Sequence, residues 1–186
     1  MKAKLVFIFT LSVIASYSFG QTKYFTKTGY IKFFSATAIE DIKGENNLVG
    51  AVLVKESGNL DFVAGMKSFK FKKGLMEEHF NENYVESEKF PSATFKGKIE
   101  NIATVDFSKD GSYPVTVSGE LTIHGVTRQI TENGSILIEG KKVSASSVFP
   151  IVLEDYEVKI PSLVRKQIAE TVEVTVNLIL EEFVKK

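Results

Sequence analysis

The sequence predicts an all-β domain of antiparallel strands with one short helix, arranged as a sandwich or a barrel. Three observations predict it. From Tyr113 to Ile123 the chain alternates without a break. Tyr113, Val115, Val117, Gly119, Leu121 and Ile123 share one parity, and Pro114, Thr116, Ser118, Glu120 and Thr122 share the other. Successive strand side chains point to opposite faces, so this is a long strand with one apolar and one polar face. The chain closes on a second such strand, where Val172, Val174, Val176, Leu178 and Leu180 interleave with Thr171, Glu173, Thr175, Asn177 and Glu181. Tight Gly-containing turns join such runs: His124-Gly125 interrupts the first strand and Val126 resumes it, the signature of a hairpin.

The amino terminus stands apart from the fold. Lys2 and Lys4 form a basic start, Leu5 to Ala15 is mostly apolar, and Ser18-Phe19-Gly20 supplies small residues before a cut. This pattern predicts a cleaved secretory signal peptide over residues 1–20, too short for a membrane span of about 20 apolar residues. No Cys follows it to take a lipid anchor. Residues 21–186 then form one domain.

Gln21 to Lys27 is a polar lead-in, and Tyr30 to Phe34 is an aromatic strand. Glu40 to Asn47 carries charge with Gly44 and Asn46-Asn47, so a loop is expected. Val49 to Val54 is a β-branched strand, Glu56 to Asn59 a turn, and Leu60 to Phe71 an extended run with a bend at Gly65. Between Gly74 and Val85 the period changes. Met76, Phe80 and Tyr84 fall at i, i+4 and i+8, with Leu75 and His79 on a neighbouring stripe expected to face the sheet. Phe90-Pro91 ends the next loop, and Ser92 to Glu100 is a strand. After a loop at Asp110-Gly111 comes the hairpin. Ile136 to Ile138 and Val143 to Phe149 are strands around a turn at Glu139 to Lys142. Leu163 to Ala169 is expected to make one or two helical turns with Ser162 as the cap. In the last strand Ile179 breaks the polar parity, which predicts cover on both faces there. About eight extended segments result, enough to close a barrel and remove its edges.

Composition excludes several functions. Among 186 residues there are 23 Lys and Arg against 23 Asp and Glu, no Cys and two His. A balanced charge lacks the basic footprint that nucleic acid requires. Without Cys there is no disulfide, thiol nucleophile or Cys-based metal site, and two His are too few for a His-rich one. No Gly-x-Ser-x-Gly elbow and no Gly-rich phosphate loop occurs, so no catalytic residue, metal or cofactor is assigned.

Two stretches carry a resemblance: Gly119 to Thr127, GELTIHGVT, and His79 to Phe95, HFNENYVESEKFPSATF. Together they resemble the YceI-like family of exported lipid-binding proteins. His79-Phe80 stands where that family has His-Leu, and Phe90-Pro91 with Phe95 stands at its Pro-containing strand. Leu121, Thr122, His124, Gly125, Val126 and Thr127 match its hairpin motif, Ser68 matches a frequent Ser, and Asp155-Tyr156 corresponds to a late Asp-Phe. The chain departs from the family where Met76-Glu77 replaces Arg-Asp and Val152-Leu153 replaces Asn-Arg. The family's first-strand His-Ser is also missing: Lys27 to Phe33 offers Thr28 and Gly29 instead. The resemblance implies an extended lipocalin-like antiparallel barrel with a helix near one end and a long cavity. It also implies a periplasmic or secreted protein that binds a polyisoprenoid or fatty-acyl chain and does not catalyse.

A lipid cavity needs an apolar bore and a few polar groups at its mouth. Phe69, Phe80, Tyr84 and Phe95 are the lining candidates; the alternative is that they fill the core, since eight-stranded barrels occur in both forms. His79 is the head-group candidate, or else a hydrogen-bonded link between helix and barrel. His124, on the polar parity beside a turn Gly, either contacts ligand or fixes the hairpin. The partner expected is an apolar lipid or isoprenoid, with no nucleic acid and no membrane span after leader cleavage; a homodimer stays open. The rival function is a filled barrel serving as a structural or protein-interaction module of the envelope. A hydrolase or isomerase would require His79 and His124 to converge with a third polar group.

Overall fold

The computed structural model describes residues 21–184. The leader expected over residues 1–20 lies outside the described residues. Nine strands follow in order: β1 (Lys23–Ala36), β2 (Asp41–Val54), β3 (Asn59–Gly65), the two-residue β4 (Lys70–Phe71), β5 (Ser92–Ile99), β6 (Gly111–Ile123), β7 (Val126–Glu139), β8 (Lys142–Val152) and β9 (Thr171–Glu182). Every pairing is antiparallel, and β1 pairs with β2 on one side and β9 on the other. The eight long strands therefore close into a barrel, as expected. One helical segment, α1 (Gly74–His79) with a π turn over Phe80–Tyr84, lies across one end.

Ladder registers define the two ends. At the lower end Lys23 faces Val54, Gly111 faces Ile138, and Glu139 faces Lys142. At the upper end Ala36 faces Asp41, Gly65 faces Ser92, Ile123 faces Val126, and Val152 faces Thr171. The lower half is packed solid: Leu53, Ile136, Ile138 and Leu180 are at most 1% exposed. Tyr24 stacks on Phe107 at 5.6 Å at that end. Midway up, Phe95 stacks on Phe62 at 5.3 Å. Its ring has room because Gly97 and Gly119 face each other across β5 and β6. A Cβ on either would lie 2.5 or 2.9 Å from the Phe95 ring.

Several sequence expectations are corrected. The loop expected at Glu40 to Asn47 is the start of β2, and Gly44 lies under the rings of Phe33 and Phe71. Asn46 is fully buried in this wall; its Nδ2 donates to Gly65 O at 3.0 Å and its Oδ1 accepts from Leu48 N at 2.8 Å. Its amide makes the bonds inside the sheet that a turn would otherwise offer. The polar lead-in joins β1 from Lys23, and the run from Leu60 to Phe71 divides into β3, a 3-10 turn and β4. The region Leu163 to Ala169 makes a single 3-10 turn, Ser162–Val164, capped by Pro161 without a side-chain bond. Ile179 is 58% exposed on the outer face, so the barrel is not covered twice there.

A seam opens in the wall between β7 and β8. β7 and β8 pair only from Gly134–Ser147 down to Glu139–Lys142. Above that, residues 126–133 and 148–152 carry no shared ladder, although β6 still pairs with β7 and β9 with β8. Ser147 Oγ donates to Asn133 O at 2.6 Å at the fork. A 3-10 turn, Leu153–Tyr156, folds across the opening.

Candidate functional site

The upper half of the barrel is hollow. A cavity of about 400 Å³ runs from the level of Phe62 and Leu121 to the helix-bearing end. Its walls are the inward parities of the strands, including Ile31, Ala64, Ala93, Phe149 and Val174. Such a lining has the chemistry to take hydrocarbon by desolvation. The few polar groups collect at the upper end: Ser35, Glu40, Lys73, His79 and Gln167. Lys73 Nζ reaches Glu40 Oε1 at 2.7 Å, tying the start of α1 to the β1–β2 turn. Ser35 Oγ accepts from Ala169 N at 2.8 Å and holds the β8–β9 connection over the same end.

Helix α1 roofs the cavity with Met76 and Phe80. Phe80 sits 5.3, 5.5 and 5.0 Å from Phe33, Phe69 and Phe71. The helix then widens: Val85 N donates to Phe80 O at 3.0 Å, five residues back. A π turn shifts later side chains around the axis, and it brings Tyr84 to the cavity wall. The neighbouring stripe meets the cavity only at its rim: Leu75, 62% exposed, and His79, also exposed, both line it there. Burial pushes the Tyr84 phenol above its ordinary value, as it does that of Tyr156 on the seam turn.

Of the sequence candidates, Phe69, Phe80, Tyr84 and His79 line the cavity together. Phe95 does not; 2% exposed, it forms the floor beneath Phe62. His124 does not either. It sits outside the wall, where Nε2 donates to Glu86 Oε2 at 2.7 Å and Nδ1 lies 3.2 Å from Tyr156 O. Both partners are acceptors, so the ring satisfies both at once only with both nitrogens protonated. The Phe90 ring packs edge-on against it at 4.6 Å. His124 thus fixes the hairpin, but to two distant loops and not to its own turn. Glu86, drawn by that bond first, has its carboxyl held below the usual value. His79 and His124 share no site, which leaves the convergent pair of a hydrolase without a basis.

Sequence reasoning missed Phe33, Phe71 and Tyr156 as lining residues. The signal for Phe33 was available in the alternation Ile31, Phe33, Ser35 on β1. Tyr156 carries no periodic signal because it lies on a turn. Among the described residues no group of three His, Cys, Asp or Glu is placed to hold a metal. No described helix is long and apolar enough to cross a membrane.

The chain matches a family model described as the YceI-like domain over residues 17–180. No protein of curated function matches it. Among solved structures, a polyisoprenoid-binding domain from Saccharophagus degradans, implicated in plant cell wall breakdown, superposes with a TM-score of 0.75 at 17% identity. That match covers 86% of this chain and 97% of the other. BcnA of Burkholderia cenocepacia gives a TM-score of 0.63 at 16% identity, over 81% and 95% of the two chains. A YceI protein of Campylobacter jejuni gives 0.60 at 19% identity, over 81% and 90%. These likenesses carry the fold. With the match spanning nearly all of the barrel, the chain belongs to the YceI-like domain family.

Proposed function

We propose that this protein binds a single apolar lipid chain, isoprenoid or fatty acyl, in the upper half of its barrel, for storage or transport after export to the periplasm or medium. The supporting observation is the cavity itself: about 400 Å³ of aliphatic and aromatic lining above a packed floor. That volume falls in the range of small-molecule sites, roughly 300–1,000 Å³. Each buried methylene contributes about 0.8 kcal/mol before the ligand's ordering is charged against it. The Saccharophagus neighbour, described as polyisoprenoid-binding, supports the same ligand class. The packed lower half is what favours the rival reading, a filled barrel acting through its surface; the hollow upper half speaks against it.

The test is to fill the hollow. Ala64 and Ala93 face each other across β3 and β5 and both line it. Ala93→Trp is expected to abolish uptake of a neutral fluorescent lipid probe, N-phenylnaphthylamine, while the far-ultraviolet circular dichroism stays that of the wild type. Unchanged uptake by a folded Ala93→Trp variant would refute the cavity as the binding site.

A further inference from the structure

A second pocket adjoins the apolar cavity at the barrel wall. Phe149, Ile151 and Tyr156 line the cavity and also this second, polar cleft of about 510 Å³. That cleft occupies the seam, between residues 126–133 of β7 and 148–152 of β8. The inward parity of β7 there reads Val126, Arg128, Ile130, Glu132 and Gly134, before Ile136 and Ile138 resume the core. Two charged side chains therefore fall on the inward parity of a strand where the wall has opened, Glu132 half-buried and Arg128 exposed.

Arg128 is already engaged. Its Nε donates to Asp155 O at 2.8 Å and pins the Leu153–Tyr156 turn across the seam. Glu132 is not: among the described residues it makes no hydrogen bond or ion pair, and burial pushes its carboxyl above the ordinary value. Tyr156 is 4% exposed, and its hydroxyl finds no partner among the described residues. Neither group is sealed from water, since Asn81 Oδ1 is the one buried side-chain atom without a partner among the described residues; an acceptor and a phenol standing free at the seam, beside an apolar bore, form a site for a polar partner.

We propose that the seam is the head-group site of the bound lipid: the chain lies in the apolar cavity, and an uncharged hydroxyl at its end lies in the cleft, donating to Glu132 and accepting from Tyr156. This rests on the lipid-binding reading above. The charges of the cleft select against an anion. Its ionisable groups are Arg128, Glu132, Asp155 and the Tyr156 phenol, so two carboxylates outnumber one cation that is held by the turn. A phosphate or carboxylate head would bring like charge to Glu132 in a partly desolvated place.

The experiment is displacement of N-phenylnaphthylamine from the mature chain, residues 21–186, by farnesol, farnesyl phosphate and the hydrocarbon farnesene. A hydrogen bond to a charged group is among the stronger ones. Farnesol is therefore expected to bind about tenfold tighter than farnesyl phosphate. Glu132→Leu is expected to weaken farnesol and shrink that ratio to about threefold or less, with farnesene unchanged. Glu132→Gln keeps an acceptor oxygen and drops the charge, so it should retain farnesol and gain farnesyl phosphate. Equal binding of the two isoprenoids by the wild type, or a ratio unmoved by Glu132→Leu, overturns the head-group site while leaving lipid binding intact. Failure of all three compounds to displace the probe would instead sink the lipid reading, and the head-group site with it.

Discussion

His124 is where three distant segments meet. Its φ is 52° and that of Gly125 is 75°, the left-handed pair that a two-residue hairpin turn requires. Histidine tolerates that region better than most residues, and its ring then leaves the strand to hold Glu86 and Tyr156. The two other non-glycine residues with positive φ among those described are Glu86 and Glu157, one bonded to the ring and one following Tyr156. Three local costs are thus gathered at one latch. His124→Asn keeps a residue at home in the turn but loses the reach to both partners. It is expected to destabilise the fold by about 1–2 kcal/mol in denaturant unfolding. Amide exchange should accelerate first in residues 153–158. Glu86 sets a pH dependence. Its carboxyl is held below the ordinary 4.5 by the His124 bond first, so the folded state favours the carboxylate. That contribution is complete above 4.5 and is lost as pH falls through the lower folded value. Glu86→Gln should therefore melt below the wild type at neutral pH, and the gap should close as thermal scans move to more acid buffers. Phe95 is the floor. Phe95→Ala is expected to cost about 3–5 kcal/mol, read from the shift of the denaturation midpoint, and to deepen the cavity downward.

At the scale of elements, legibility followed how each segment is covered. β6 and β9 show in the sequence because one face of each is packed and the other is wet, so the apolar residues keep a period of two. The start of β2 does not show, because Gly44 and Asn46 are turn formers by local chemistry. Only Phe33, Phe71 and Gly65 O, brought by other segments, give them a place in a strand. The helical period of Met76, Phe80 and Tyr84 located the roof, and Phe80, Tyr84 and His79 could be named from it, while Phe69 belongs to the extended run before it. The π turn hid from that reading, since nothing in FNENY marks the step from four residues to five. The seam hid for a different reason. Arg128 and Glu132 sit on the apolar parity of β7, but a parity argument needs the strand first, and the charges mask the strand.

The whole molecule is a half-filled barrel. The lower half is a core of ordinary closeness, which supplies the stability that a chain without Cys must find in packing. The upper half gives up that packing for a cavity roofed by a short helix with no fully buried residue. An element with no fully buried residue is drawn from the less stable part of a fold. The most direct test of lipid binding is native mass spectrometry of the protein purified without detergent from the cells that make it. The spectrum is expected to show a stoichiometric extra mass that solvent extraction removes and that matches a lipid. A bare mass, unchanged after incubation with isoprenoid alcohols and fatty acids, would contradict it and leave a barrel that acts through its surface alone.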